Sequence, residues 1–124
     1  EDLDAPIDTL QGAWTPEDGH SDAAEMTMRA ALKISSNRAA VKMLEMIGPP
    51  AAVSYAAKLG LTGLPAVPSL ALGSGEVTLF DMTSAYGAFA ADGQWHKPSL
   101  VRRVEDLDGT VLYAAEDTAV QAVK

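Results

Sequence analysis

Apolar and polar positions change their period along this chain, and each change marks an element. From about Glu25 the residues favour helix, and the run Met28-Arg29-Ala30-Ala31-Leu32 is built from strong helix formers. That run meets Ser35-Ser36-Asn37, three residues that prefer caps and turns to helix interiors. A second helix is predicted beyond them, with Ala40, Val41, Leu44 and Ile47 spaced three or four apart as on one buried face. Gly48 is placed to end it, and Pro49-Pro50 suit the opening of a third helix. The third helix is expected to run to about Leu59, with Val53, Ala56, Ala57 and Leu59 as its apolar side and Gly60 as its stop.

From Leu61 to Val77 the periodicity breaks down under Pro65, Pro68, Gly73 and Gly75, which reads as a long ordered loop. Thr78 is then positioned to cap a fourth helix, with Asp81 where a capping-box acid would sit. Leu79, Met82, Tyr86 and Phe89 are its expected inward stripe, and Gly93 closes it. After Pro98 the pattern turns to strand. Leu100-Val101-Arg102-Arg103-Val104 and Thr110-Val111-Leu112-Tyr113 flank Asp106-Leu107-Asp108-Gly109, which predicts a β-hairpin. The tail from Glu116 to Lys124 has the look of another helix start. The first two dozen residues read as an extended acidic lead-in around Pro6 and Pro16, held to something apolar by Trp14. The chain is thereby divided into a lead-in (1–24), a helical part (25–93) and a hairpin (94–115).

Composition narrows the function classes. The 124 residues suit one modest domain or part of one, and with 48% hydrophobic residues the chain is a packing sequence. Only 6% are aromatic and much of the rest is alanine, which favours close-packed helices over a β-sandwich. The formal net charge of −8 and a single adjacent basic pair, Arg102-Arg103, argue against nucleic acid or an anionic membrane surface as a partner. With no cysteine, disulfides, Cys-ligated zinc and thiol catalysis are excluded. His20 and His96 lie far apart in loop-like contexts without a carboxylate at ligand spacing, so no metal site is expected. Gly73-Ser74-Gly75 lacks the lysine and flanking strand of a phosphate loop and reads as a turn.

Ser35-Ser36-Asn37 is the remaining candidate. A hydroxyl and a carboxamide two residues apart, at a break between helices, can both point into one cleft: the hydroxyl can share a proton, and the carboxamide both donates and accepts. Taken alone, a helix N-cap at Ser35 or Ser36 is the commoner meaning of such a tripeptide.

The wider context resembles the second-motif region of class A, bifunctional penicillin-binding proteins. Their Arg-x-Ala-Leu helix, Ser-x-Asn motif and following Ala-Val helix are similar to Arg29-Ala30-Ala31-Leu32, Ser35-Ser36-Asn37 and Ala40-Val41. The resemblance continues through Lys58-Leu59-Gly60-Leu61, the Pro68-Ser69-Leu70-Ala71-Leu72-Gly73-Ser74-Gly75-Glu76-Val77-Thr78 stretch, Ser84-Ala85-Tyr86-Gly87-Ala88-Phe89, and the hairpin. Upstream, Trp14-Thr15-Pro16-Glu17 resembles the family's Trp-x-Pro segment, without the asparagine that often follows.

The resemblance implies a fold that is mostly α with a C-terminal β-hairpin, the helical part of the β-lactamase/D,D-peptidase-like (α+β) transpeptidase fold. It also implies a serine-type D,D-transpeptidase parent that crosslinks peptidoglycan stem peptides ending in D-Ala-D-Ala, binds β-lactams, and needs no cofactor. Ser35 would relay a proton and Asn37 would hold the substrate amide. No Ser-x-x-Lys and no Lys-Thr-Gly occurs here, so the segment alone is expected to be inactive, with family order placing the nucleophile before Glu1 and the third motif after Lys124. Its expected partners are the remainder of the transpeptidase domain, the stem peptide and β-lactams. Its expected location is the periplasmic or extracytoplasmic face of a bacterial inner membrane, anchored through another part of the parent. The alternatives are a D,D-carboxypeptidase or β-lactamase relative, and a non-catalytic helical binding module.

Overall fold

The computed structural model describes residues 6–9, 12–17, 19 and 25–123; the acidic positions Glu1, Asp2, Asp4, Asp18 and Asp22, with His20 and Lys124, lie outside them. The described residues fall into two compact units, one within 1–53 and 64–76, the other within 54–63 and 77–124.

In the first unit the lead-in forms a short antiparallel hairpin of β1 (Ile7–Thr9) and β2 (Gly12–Trp14), with Ile7 opposite Trp14. Ile7 is buried and Trp14 half-buried, so the apolar pair anchors a segment that is otherwise polar. Helix α1 (Met28–Lys33) starts where Thr27 accepts a hydrogen bond from the Ala30 N–H at 3.2 Å. Helix α2 (Asn37–Ile47) starts in the same way at Ser36 and buries Arg38, Ala39, Val41 and Leu44. The expected face is therefore turned slightly: Ala40 is half-buried and Ile47 exposed, while Ala39 packs with Ala31 of α1. Gly48 ends α2, and Pro49 opens α3 (Pro49–Lys58) at the position where a missing N–H leaves no bond unmade. None of the α3 residues is fully buried: Val53 and Ala56 are half-buried and Ala57 is exposed. The stretch read as a loop contains a 3₁₀ helix, Pro68–Leu72, that packs against α2.

In the second unit Leu59, Ala85, Ala88 and Ala122 form the core, with Leu61, Trp95 and Val123 against it. Helix α4 (Leu79–Ala90) is capped as its sequence predicts, with the Asp81 N–H donating to the Thr78 hydroxyl oxygen at 3.1 Å. Its inward face is different from the expected one. Leu79, Tyr86 and Phe89 are exposed, Met82 is half-buried, and Ala85 and Ala88 are the buried residues. The helix is apolar almost all round, so periodicity does not single out a face, and the two alanines let strand β3 (Gln94–His96) approach closely.

The hairpin forms from β4 (Arg103–Glu105) and β5 (Val111–Ala114), with Val104 opposite Tyr113. The Asp106 carboxylate closes its turn by accepting from the Asp108 and Thr110 N–H groups at 3.0 and 2.8 Å. The tail is a strand and not a helix: β6 (Ala119–Gln121) pairs antiparallel with β3, placing Val120 opposite Trp95. Pairing with β3 satisfies backbone groups that a single short turn of helix would leave largely open.

Gly93 joins these two strands. Its carbonyl accepts from the Ala122 and Val123 N–H groups at 2.9 and 3.0 Å, and its φ is +84°. A Cβ there would overlap the Val123 carbonyl oxygen. Gly93→Ala is therefore expected to destabilise the chain by about 3 kcal/mol, read as a lowered denaturant midpoint. An unchanged midpoint would contradict this packing.

Among the described residues no helix is long and apolar enough to cross a membrane.

Candidate functional site

The break between α1 and α2 is built by a specific backbone device. The Ser36 N–H donates to the Ala31 carbonyl at 3.0 Å, and the Ser35 N–H to the Leu32 carbonyl at 3.2 Å. These are the two bonds of a Schellman helix end, whose penultimate residue must take a left-handed conformation. That residue is Ser35, at φ +56°. The same pair of bonds closes α3, from the Leu61 N–H to the Ala56 carbonyl and from the Gly60 N–H to the Ala57 carbonyl, each 3.1 Å, with Gly60 at φ +81°. Glycine takes this conformation without strain, whereas a residue with a Cβ pays about 1 kcal/mol. A serine in the glycine slot of α1 thus keeps its hydroxyl at an energetic cost, and such strain collects at functional positions. Ser35 is exposed, and its hydroxyl has no hydrogen-bond partner among the described residues.

Ser36 does different work. Its side chain is buried, and its hydroxyl oxygen accepts from the Ala39 N–H at 3.3 Å, capping α2. The cap and the candidate hydroxyl are therefore adjacent but separate residues. Ser36→Ala is expected to lower stability by about 1 kcal/mol through the lost cap, read by thermal unfolding. No change would show that the cap carries no load.

Asn37 opens α2, and its Nδ2 donates to the main-chain carbonyl of Glu17 at 3.0 Å. That acceptor has no donor capacity, so the nitrogen end of the carboxamide faces Glu17, leaving Oδ1 and one N–H for another partner. Nothing in the sequence pattern marks Glu17 for this contact, because every residue carries a carbonyl.

Ser35, Ser36 and Asn37 together line a groove of about 750 Å³, with the apolar side chains of Met28, Leu32 and Met43 among its other walls. Arg29 is the one charged side chain in that lining among the described residues, and no carboxylate or imidazole contributes to it. The groove thus offers a hydroxyl able to pass a proton and an amide able to hold one, on apolar walls. It holds no general base of its own. His96, the other polar group singled out earlier, lies in β3. Its Nδ1 is 2.7 Å from Asp117, an exposed pair formed by a partner 21 residues away.

Residues 4–124 match the family model described as the penicillin binding protein transpeptidase domain. Penicillin-binding protein 1A of Pseudomonas aeruginosa is 35% identical over 124 residues, covering 94% of this chain and 15% of that protein. Penicillin-binding protein 2D of Bacillus subtilis is 34% identical over 116 residues, covering 91% of this chain and 17% of that protein. A crystal structure of penicillin-binding protein 1A from Haemophilus influenzae superposes with a TM-score of 0.75 at 25% identity, over 94% of this chain and 18% of that one. The chain therefore spans roughly a sixth of the length of the relatives it matches.

Proposed function

The chain belongs to the penicillin-binding protein transpeptidase family, and on that footing we propose that it is the second-motif wall of a D,D-transpeptidase active site whose nucleophile lies elsewhere in a larger parent protein. The observation that supports this most is the pairing of Ser35 and Asn37 on one groove, with Ser35 held in a conformation that glycine would adopt without strain.

In this reading the stem peptide lies along the groove with its scissile amide held by the Asn37 carboxamide. A serine of a Ser-x-x-Lys motif attacks the carbonyl carbon of the penultimate D-Ala. The new Oγ–C bond forms, and the C–N bond to the terminal D-Ala breaks. The proton released from the nucleophile passes, with the Ser35 hydroxyl as a relay, to the departing amine. The amine of a neighbouring stem peptide then attacks the ester, and the serine oxygen leaves and regains a proton. A β-lactam follows the first half of this path, with its ring C–N bond opening and the amine remaining tethered. Neither half needs a metal or an organic cofactor. Substrates of this kind place the parent on the outer, cell-wall side of a bacterial inner membrane.

The test is to map a β-lactam adduct. The parent protein incubated with a fluorescent penicillin is expected to take up one equivalent, at a serine outside these 124 residues, while the isolated chain takes up none. An adduct on Ser35, or on any serine of this chain, would overturn the reading. Release of the acyl group to water in place of an amine acceptor would favour a D,D-carboxypeptidase or β-lactamase activity.

A further inference from the structure

Asn37 is exposed at the first turn of α2, where a side chain ordinarily samples several rotamers and its carboxamide can flip end for end. It does not hang free. Among the described residues its Nδ2 donates to one acceptor, the Glu17 carbonyl at 3.0 Å, twenty residues earlier in the chain. The segment that presents this carbonyl is itself anchored. Trp14 ends β2 opposite the buried Ile7, and Pro16 is buried between the exposed Thr15 and Glu17. Proline fixes its own φ near −65°, which removes one of the backbone rotations that set where the Glu17 carbonyl points.

We infer that residues 14–17 are a positioning strap for Asn37. Its anchor, the half-buried Trp14 and the buried Pro16, aims the Glu17 carbonyl so that the carboxamide is held nitrogen-inward, with Oδ1 and the second N–H set for the substrate amide. This rests on the role proposed for Asn37 above. A carbonyl acts only as an acceptor, so it selects one of the two flipped states of the amide. A flipped carboxamide would offer the substrate the wrong donor–acceptor order. The strap therefore acts through Asn37 and touches no reacting atom. The segment that follows the β1–β2 hairpin thereby has a function that its packing alone does not require.

The experiment uses the intact parent protein and a fluorescent penicillin, separating the non-covalent dissociation constant from the acylation rate. Pro16→Gly frees the backbone that aims the carbonyl and is expected to lower the acylation rate about tenfold, as loss of one positioning hydrogen bond would. The dissociation constant should stay within about twofold. In an Asn37→Ala background the same substitution should change the rate by less than about twofold, because the group it positions is gone. Where Pro16→Gly does not fold, Pro16→Ala is held to the same pattern. Equal losses in both backgrounds would mean that the segment acts on stability or on another group, and would overturn the strap. So would an unaltered rate for Pro16→Gly with Asn37 present. An Asn37→Ala protein that acylates normally would overturn the role of Asn37 itself, and the strap with it.

Discussion

If the proposed role is right, Asn37→Ala in the parent protein is expected to slow acylation by both D-Ala-D-Ala peptide and β-lactam by about 100-fold, as when a reacting carbonyl loses its positioning group. The fold survives, because the residue lies on the surface of α2 and its loss removes one hydrogen bond, to the Glu17 carbonyl. That bond contributes no more than about 1 kcal/mol to stability. The combination is what separates positioning from structure. A melting temperature shifted by a few degrees together with a hundredfold slower reaction identifies a group used by the substrate. Asn37→Asp tests the donor more narrowly. A carboxylate facing the Glu17 carbonyl has no proton to give and is repelled by it, so it should be as slow as alanine. Stopped-flow acylation rates check both, and rates within twofold of the parent's would remove Asn37 from the mechanism.

The second large effect comes from Ser35 and is read through two substitutions. Ser35→Ala removes the hydroxyl and keeps the strained backbone at φ +56°. Ser35→Gly removes the hydroxyl and relieves the strain. Relief is worth about 1 kcal/mol, and the added freedom of glycine in the unfolded chain takes back about 0.4–1 kcal/mol of it. The glycine variant is therefore expected to be about as stable as the parent, or slightly more so, and the alanine variant no more stable than the parent. Acylation should fall in both, by about 100-fold or more, the range for a lost proton-transfer group. Ser36→Ala provides the contrast, since it loses a helix cap and should slow the reaction less than either. If Ser35→Gly reacts as fast as the parent, the hydroxyl carries no proton and the strain has some other origin.

What could be read from the sequence follows from how local each signal is. The break at residues 35–37 is legible because cap-forming side chains interrupt strong helix formers, and the Thr78 cap of α4 is legible for the same reason. The hairpin of β4 and β5 declares itself through an aspartate-bearing turn between β-branched runs. The buried face of α4 was not legible. Leu79, Phe80, Met82, Tyr86 and Phe89 surround the helix, and the decisive residues are small alanines that hydrophobicity ranks low. Nor was β6 legible, because three residues are too few to show alternation and the partner strand begins some 25 positions earlier. Within the site the side chains were visible as a pattern. Two features were not: the left-handed Ser35 backbone and the Glu17 carbonyl. Both belong to the main chain, whose geometry no residue letter spells out.

One structure would test the central claim most directly: the parent protein crystallised with a β-lactam bound covalently. The expected result is an adduct on a serine outside this chain, with the Asn37 carboxamide and the Ser35 hydroxyl each within about 3 Å of a polar atom of the adduct or of that serine. An adduct lying elsewhere, with the Ser35–Asn37 groove empty or covered by another part of the protein, would contradict the assignment of these residues to the active site.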